Sequence, residues 1–289
     1  MAAFTAIDDP EAYFQVQLYT GNGSANHAIT LGGDTNMQPD IVWIKNRDAT
    51  DSHCLFDSVR GATKVIHPDT DDAEATDADT LDSFASDGFQ VDADVKVNTN
   101  TEKYVAWCWK ESATSGVDIV SYTGNDTART ISHSLSAVPH FIYIELLAAA
   151  HHSVIYHQKN TAAPETDYLV LNTNAATSDS ATIFNDTAPT SSVFSVGSAE
   201  QTNDDGSALI AYVFTSIQGF SKFGGYTGNG NVDGQFIYTG FRPAWILIKK
   251  TSGAGSWYMH DNKREGYNGT AHNYANDVLE PHNANAEAE

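Results

Sequence analysis

The sequence predicts an all-β fold of tandem antiparallel β-sandwich-like units, about two and a half repeats in 289 residues. Three observations carry that prediction. One stretch recurs three times at a period of about one small domain. Glycines, Asn-Gly pairs and Asp-Gly pairs punctuate β-branched and aromatic segments at intervals typical of sandwiches. Amphipathic helical runs are nearly absent.

The recurring stretch reads Tyr19-Thr20-Gly21-Asn22, then Pro39-Asp40-Ile41-Val42-Trp43-Ile44-Lys45. It returns as Tyr122-Thr123-Gly124-Asn125 with Pro139-His140-Phe141-Ile142-Tyr143-Ile144-Glu145, and as Tyr226-Thr227-Gly228-Asn229 with Pro243-Ala244-Trp245-Ile246-Leu247-Ile248-Lys249. The predicted organisation is an N-terminal segment 1–12, a first unit 13–111, a second 117–217 and a partial third 220–289. A feature shared by all copies is expected to build the fold, and a feature of one copy to serve function.

In the first unit, period-two alternation after Pro39 puts Val42 and Ile44 on one face and Ile41, Trp43 and Lys45 on the other. Ile142 with Ile144, and Ile246 with Ile248, repeat the first face, which is therefore expected to be aliphatic core. A short strand ending in Asp57-Ser58-Val59-Arg60 follows. Asp261 and Arg264 keep the same spacing in the third copy, and a local structural ion pair is expected. Residues 69–94 are dense in aspartate, but the order of an EF-hand loop is missing, so residues 69–82 are expected to be exposed and metal-free. Ser83 to Phe89 reads as a strand end, an Asp-Gly turn and the next strand. Tyr104-Val105-Ala106-Trp107-Cys108-Trp109 closes the unit, its aromatic face anchoring a core or an inter-unit contact.

The second unit repeats that closing strand as Leu209 to Phe214. It has a strand at Tyr168 to Leu171, and a Pro-containing turn between Phe184 and Phe194 where the first unit has Asp-Gly. His151, His152 and His157 crowd one stretch without a zinc-binding pattern. In the third unit, Val278 to Ala288 lines up with Val65 to Ala75. Phe4 to Ile7 matches Phe214 to Ile217, the exit from a closing strand. The N-terminal segment, from the same or a neighbouring subunit, is therefore expected to pair with the open third copy. The alternative is a shortened third copy with its own seal from Trp257 to His260.

Bulk properties exclude several classes. A net charge of −22, with only 15 Lys and Arg, argues against nucleic-acid binding and anionic membranes. No apolar run approaches the ~18 residues that span a bilayer, and the first ten residues do not read as a secretory leader. Cys54 and Cys108 are expected as buried free thiols, with pairing between them the alternative. The sequence has no Gly-x-Ser-x-Gly elbow, phosphate loop or His-Glu-x-x-His, and Gly228 to Gly234 is not a dinucleotide fingerprint. No cofactor, metal or catalytic residue is expected, although a pair of glycosidase carboxylates has no sequence signature to search for.

Ile7-Asp8-Asp9-Pro10, Tyr13-Phe14-Gln15, the Tyr-Thr-Gly-Asn motifs, Pro39 to Arg47, Ser86 to Phe89, Tyr104 to Lys110 and Asn185 to Ser195 together resemble a repeat domain of marine tailed bacteriophages. That domain sits in virion structural proteins, often described as tail-fibre-like. The resemblance covers nearly the whole chain and implies a protein of the particle surface, made in the bacterial cytoplasm. It supplies no catalytic or ligand-binding residues. The expected function is a tail-fibre or receptor-binding component. The alternatives are a capsid decoration or head-fibre protein and, less favoured, a glycan depolymerase. Expected partners are other virion proteins, further copies of the chain (a trimer favoured) and a host surface glycan or protein. The copy-specific aromatics Trp257 and Tyr258 are the candidate ligand contacts.

Overall fold

The computed structural model describes residues 5–264 and 277–288. Among them are nineteen strands, paired only antiparallel, and three helices of four residues each. The all-β expectation holds.

The first unit contains β1 (Phe14–Thr20), β2 (His27–Thr30), β3 (Ile41–Asn46), β4 (Cys54–Asp57), β5 (Lys64–Val65), β6 (Ala75–Thr76), β7 (Leu81–Ala85), β8 (Gly88–Val91), helix α1 (Val95–Asn98) and β9 (Lys103–Trp109). Its main sheet has the order β1-β9-β3-β4, and β2-β8-β7 lies across it. Between these sheets are Val42, Ile44, Phe56, Phe89, Val91 and Tyr104, all essentially without solvent exposure. The β7–β8 turn is made by Ser86 and Asp87, with Gly88 already the first residue of β8 at φ +118°. A side chain on Gly88 would meet the Ile29 carbonyl oxygen at 2.0 Å, so only glycine fits.

The second unit contains β10 (Val117–Thr123), β11 (Arg129–Ser132), β12 (Phe141–Leu146), β13 (Val154–His157), β14 (Asp167–Val170), β15 (Ser178–Asp179), α2 (Ala181–Phe184), β16 (Val193–Val196), α3 (Glu200–Asn203) and β17 (Ala208–Phe214). Its sheet runs β10-β17-β12-β13-β14-β15, with β11-β16 across it. The counterpart of β7 is the helical turn α2. Ser180 caps it by accepting from Thr182 N, and Asn185 ends it in the left-handed region at φ 55°.

The Tyr-Thr-Gly-Asn motif docks on the short helix before each closing strand. Tyr19 donates to the Val97 carbonyl at 2.8 Å, and Tyr122 to the Thr202 carbonyl at 2.7 Å. The Asn98 and Asn203 side chains accept from the backbone N–H of Asn22 and Asn125. A Cβ on Gly21 would sit 2.0 Å from the Thr99 oxygen, and one on Gly124 1.9 Å from that of Asp204. The glycine of the motif is the price of this approach.

Among the described residues the third unit has β18 (Trp245–Lys249) and β19 (Trp257–Asp261), with Leu279 bridged to Met259. Val278 also bridges Ala288. The expected aliphatic face is core in the first two units; in the third, Ile246 is 41% exposed, since among the described residues no second sheet lies over it. Phe4 lies outside the described residues. Its neighbours do not pair with β18: Ala6 N donates to Gln218 O at 3.1 Å, and Thr5 packs on Gly219. Gly219, at φ +79°, permits that approach, and the 3-10 turn Pro10–Ala12, capped by Asp9, then directs the chain into β1.

The other faces of the three main sheets meet in one central core. Trp43 and Trp107 come from the first unit, Tyr143 and Tyr212 from the second, Trp257 and Met259 from the third. That is why β3 is buried at all six positions rather than at every second one.

Candidate functional site

The units are joined by a contact that repeats around the central core. Asp57 and Arg60, paired as expected, grip the Tyr212 hydroxyl of the second unit's closing strand, at 2.7 Å from Asp57 and 3.2 Å from Arg60. Asp261 and Arg264 likewise grip the first unit's closing strand. Trp107 Nε1 donates to Asp261 at 3.0 Å, and the Arg264 guanidinium lies over the indole. Backbone bonds follow the same cycle: Glu74 N to Leu147 O, Thr177 N to Thr251 O and Glu287 N to Arg47 O. In β4, β13 and β19, Asp57, His157 and Asp261 stand opposite Ile41, Phe141 and Trp245, so the three turns correspond.

The second unit's turn is chemically different. It carries His157 and Asn160 where the others carry Asp and Arg. Burial, His140 and Lys159 hold the His157 imidazole down to about 4, so it is neutral at pH 7. The closing strand that it would grip has no counterpart among the described residues. Phe223 stands nearest, stacked on Phe141 and taking a hydrogen bond from Gln158 at its carbonyl.

A cleft of about 1830 Å³ opens there, walled by residues of all three units and reaching down to the central core. Its walls include Phe14, Trp109, Phe141, Phe214, Trp245 and Leu247. This is the candidate functional site: an apolar, aromatic-walled slot where each of the other units has a closing strand. Around it lies apolar surface left open by the third unit, with Phe236 86% and Tyr238 71% exposed. Charge is polarised as well. Residues 220–264 hold Lys222, Arg242, Lys249, Lys250, Lys263 and Arg264 against Asp233 and Asp261, in a chain of net −22.

Of the two candidate ligand contacts, the structure separates neighbours. Trp257 is buried in the central core, its Nε1 donating to the Val170 carbonyl at 2.9 Å, and it serves packing between units. Tyr258 points outward and remains accessible. Sequence reasoning missed the cleft, because its walls come from strands more than a hundred residues apart. The signal was present in the Trp109, Phe214 and Trp245 positions.

Elsewhere, Asp69 is half-buried and caps the His53 N–H, while Glu74 pairs with Arg60 and Lys64; Asp71 and Asp72 are exposed. The acidic loop thus contributes structure at its half-buried residues. Among the described residues, no group of His, Cys, Asp and Glu is arranged to hold a metal. His151 lies against Glu200 and His152 against Asn172, so the three histidines do not converge. Cys54 and Cys108 are free and buried, and burial pushes both thiols up.

Residues 9–289 match the family model described as Domain of unknown function (DUF7483), and the chain belongs to that family. No curated protein and no solved structure matches the chain.

Proposed function

We propose that this DUF7483 chain is a structural protein of a tailed-phage virion, acting as a tail-fibre or receptor-binding component at the bacterial surface. The observation that carries this reading is the resemblance of its ordered motifs, along nearly the whole chain, to the repeat domain of such proteins. The unequal surface supports it. Two units are closed and acidic, while the third gathers exposed aromatic side chains and cationic residues at one place, as a contact end requires. Its work is binding, with Tyr258 a contact residue, and it assembles with other virion proteins and copies of itself.

Immunogold labelling of purified particles tests the reading; label along the tail is expected. Label over the head shell instead supports a capsid decoration or head-fibre protein. That second reading is favoured by the same open apolar unit, which would suit seating on a shell. Release of new reducing ends from host polysaccharide would replace binding with catalysis.

A further inference from the structure

In the first unit β4 and β9 flank β3, and in the second β13 and β17 flank β12. In the third, β19 flanks β18 on one side, and among the described residues no strand pairs with the other edge. The cleft lies along that edge. Two buried polar atoms on its walls lack a hydrogen-bond partner: Trp245 Nε1 and the Nδ2 of Asn160, whose residue is 6% exposed. Asn160 occupies the position of Arg60 and Arg264, the residues that grip the closing-strand aromatics of the other units. A buried donor left unpaired costs about 1–3 kcal/mol, so these two groups favour an occupant that accepts hydrogen bonds.

The corresponding strands show what fits. β9 and β17 place Val105, Trp107 and Trp109, or Ile210, Tyr212 and Phe214, toward the central core. The rim selects charge: Lys159, Lys222, Arg242, Lys250 and Lys263 border the cleft, against the single carboxylate of Glu11 among the described residues. A second copy pairing β18 with β18 would bring the same cations together.

We propose that this cleft is a strand-docking site for a partner protein. An extended acidic segment, with aromatic or branched apolar residues at alternate positions, adds to β18 as β9 adds to β3. Its backbone satisfies the open edge, its apolar face fills the slot, and its acids meet the cationic rim. An accepting group at the central aromatic position, such as a tyrosine hydroxyl, meets Asn160. The inference concerns the cleft and stands independently of the virion reading.

The test uses the full chain and a fluorescein-labelled peptide carrying the sequence Ser207 to Thr215 with two glutamates at each end. Saturable binding by anisotropy is expected. Lysine flanks, or N-methylation of alternate amides on the pairing edge, should weaken it at least tenfold. The double variant Arg242→Glu with Lys250→Glu should lose at least tenfold in affinity while keeping its melting temperature, since both side chains are exposed. Absence of saturable binding overturns the proposal, as does equal affinity of the N-methylated peptide. Self-association by light scattering that the peptide does not reverse also overturns it, and assigns the cleft to a second copy.

Discussion

Tyr19 and Tyr226 occupy the same place in the same motif, yet one is docked through its hydroxyl on Val97 and the other is 55% exposed. Around Gly21 the backbone of Thr99 leaves no space for a methyl group; around Gly228 nothing lies within 4 Å. Residues before Tyr19 form β1, whereas those before Tyr226 form no strand. The motif therefore does not fold by itself. It is one half of a joint whose other half is the short helix and closing strand, and local sequence without that partner is only a loop. β-propensity is largely a statement about what a strand packs against, and the two units make that visible within one chain.

The largest test of this contrast is at the turns between units. Arg60→Ala leaves the buried Asp57 carboxylate without its cationic partner, so a loss of about 3–5 kcal/mol is expected in urea unfolding. Asn160→Ala, at the corresponding position with its Nδ2 unpaired, should cost far less. Equal losses would show that the second turn is already engaged.

The next concerns a strand position filled by Lys45, Glu145 and Lys249. Glu145 is buried, and burial pushes its carboxyl up to about 8 against the favourable Ser153 and Tyr143 hydroxyls. Between pH 4.5 and about 8 the folded state holds a proton that the unfolded state has released, so stability falls as pH rises through that window. Burial brings Lys45 down to about 8, and there the sign is opposite: stability rises from about pH 8 toward 10.5, where the folded lysine has lost a proton that the unfolded one still holds. Melting temperature against pH should show the first slope flattened in Glu145→Gln and the second in Lys45→Met. Burial and Lys250 also lower the Lys249 ammonium, so Lys249→Met should leave the first slope unchanged and reduce the second.

A smaller effect comes from the glycines. Gly21→Ala forces the Thr99 carbonyl aside and should cost about 1–3 kcal/mol, while Gly228→Ala should stay within about 0.5 kcal/mol of the parent. The smallest is Tyr19→Phe, which removes one hydrogen bond worth about 1 kcal/mol; Tyr226→Phe should be silent. Losses at Gly228 or Tyr226 would mean that the third motif is docked in solution.

The strands were legible because their signals are local. Val42 with Ile44, the Asp57–Arg60 pair and the Trp107 face follow from alternation and spacing, and recurrence separated them from chance. Three features were not legible, for one reason. The helical turn at Ala181 to Phe184, the burial of Trp257 and the cleft depend on which segment lies across from them in space. Trp257 and Tyr258 are adjacent in a strand and so point to opposite sides. One is buried in the central core and the other accessible, yet both border the cleft. Within one chain, Thr5 to Ile7 run beside Gln218 and Gly219 and not along β18, because a four-residue match fixes similarity of conformation and not the neighbour chosen.

The cyclic contacts also bear on the order in which this chain can mature. Asp57 and Tyr212 are 155 residues apart, whereas Arg47 and Glu287 are 240 apart. Loop-closure entropy grows slowly, by about 0.6 kcal/mol per doubling, so at equilibrium the longer closure costs little more than the shorter. In time the difference is greater, since the Arg47–Glu287 clasp cannot form until the far end of the described chain has been synthesised. During synthesis the first two units can join while Trp107 still lacks Asp261, and the last clasp then locks a partly built ring. That seam, held by Arg47, Arg264 and Glu287, is the one that synthesis completes last.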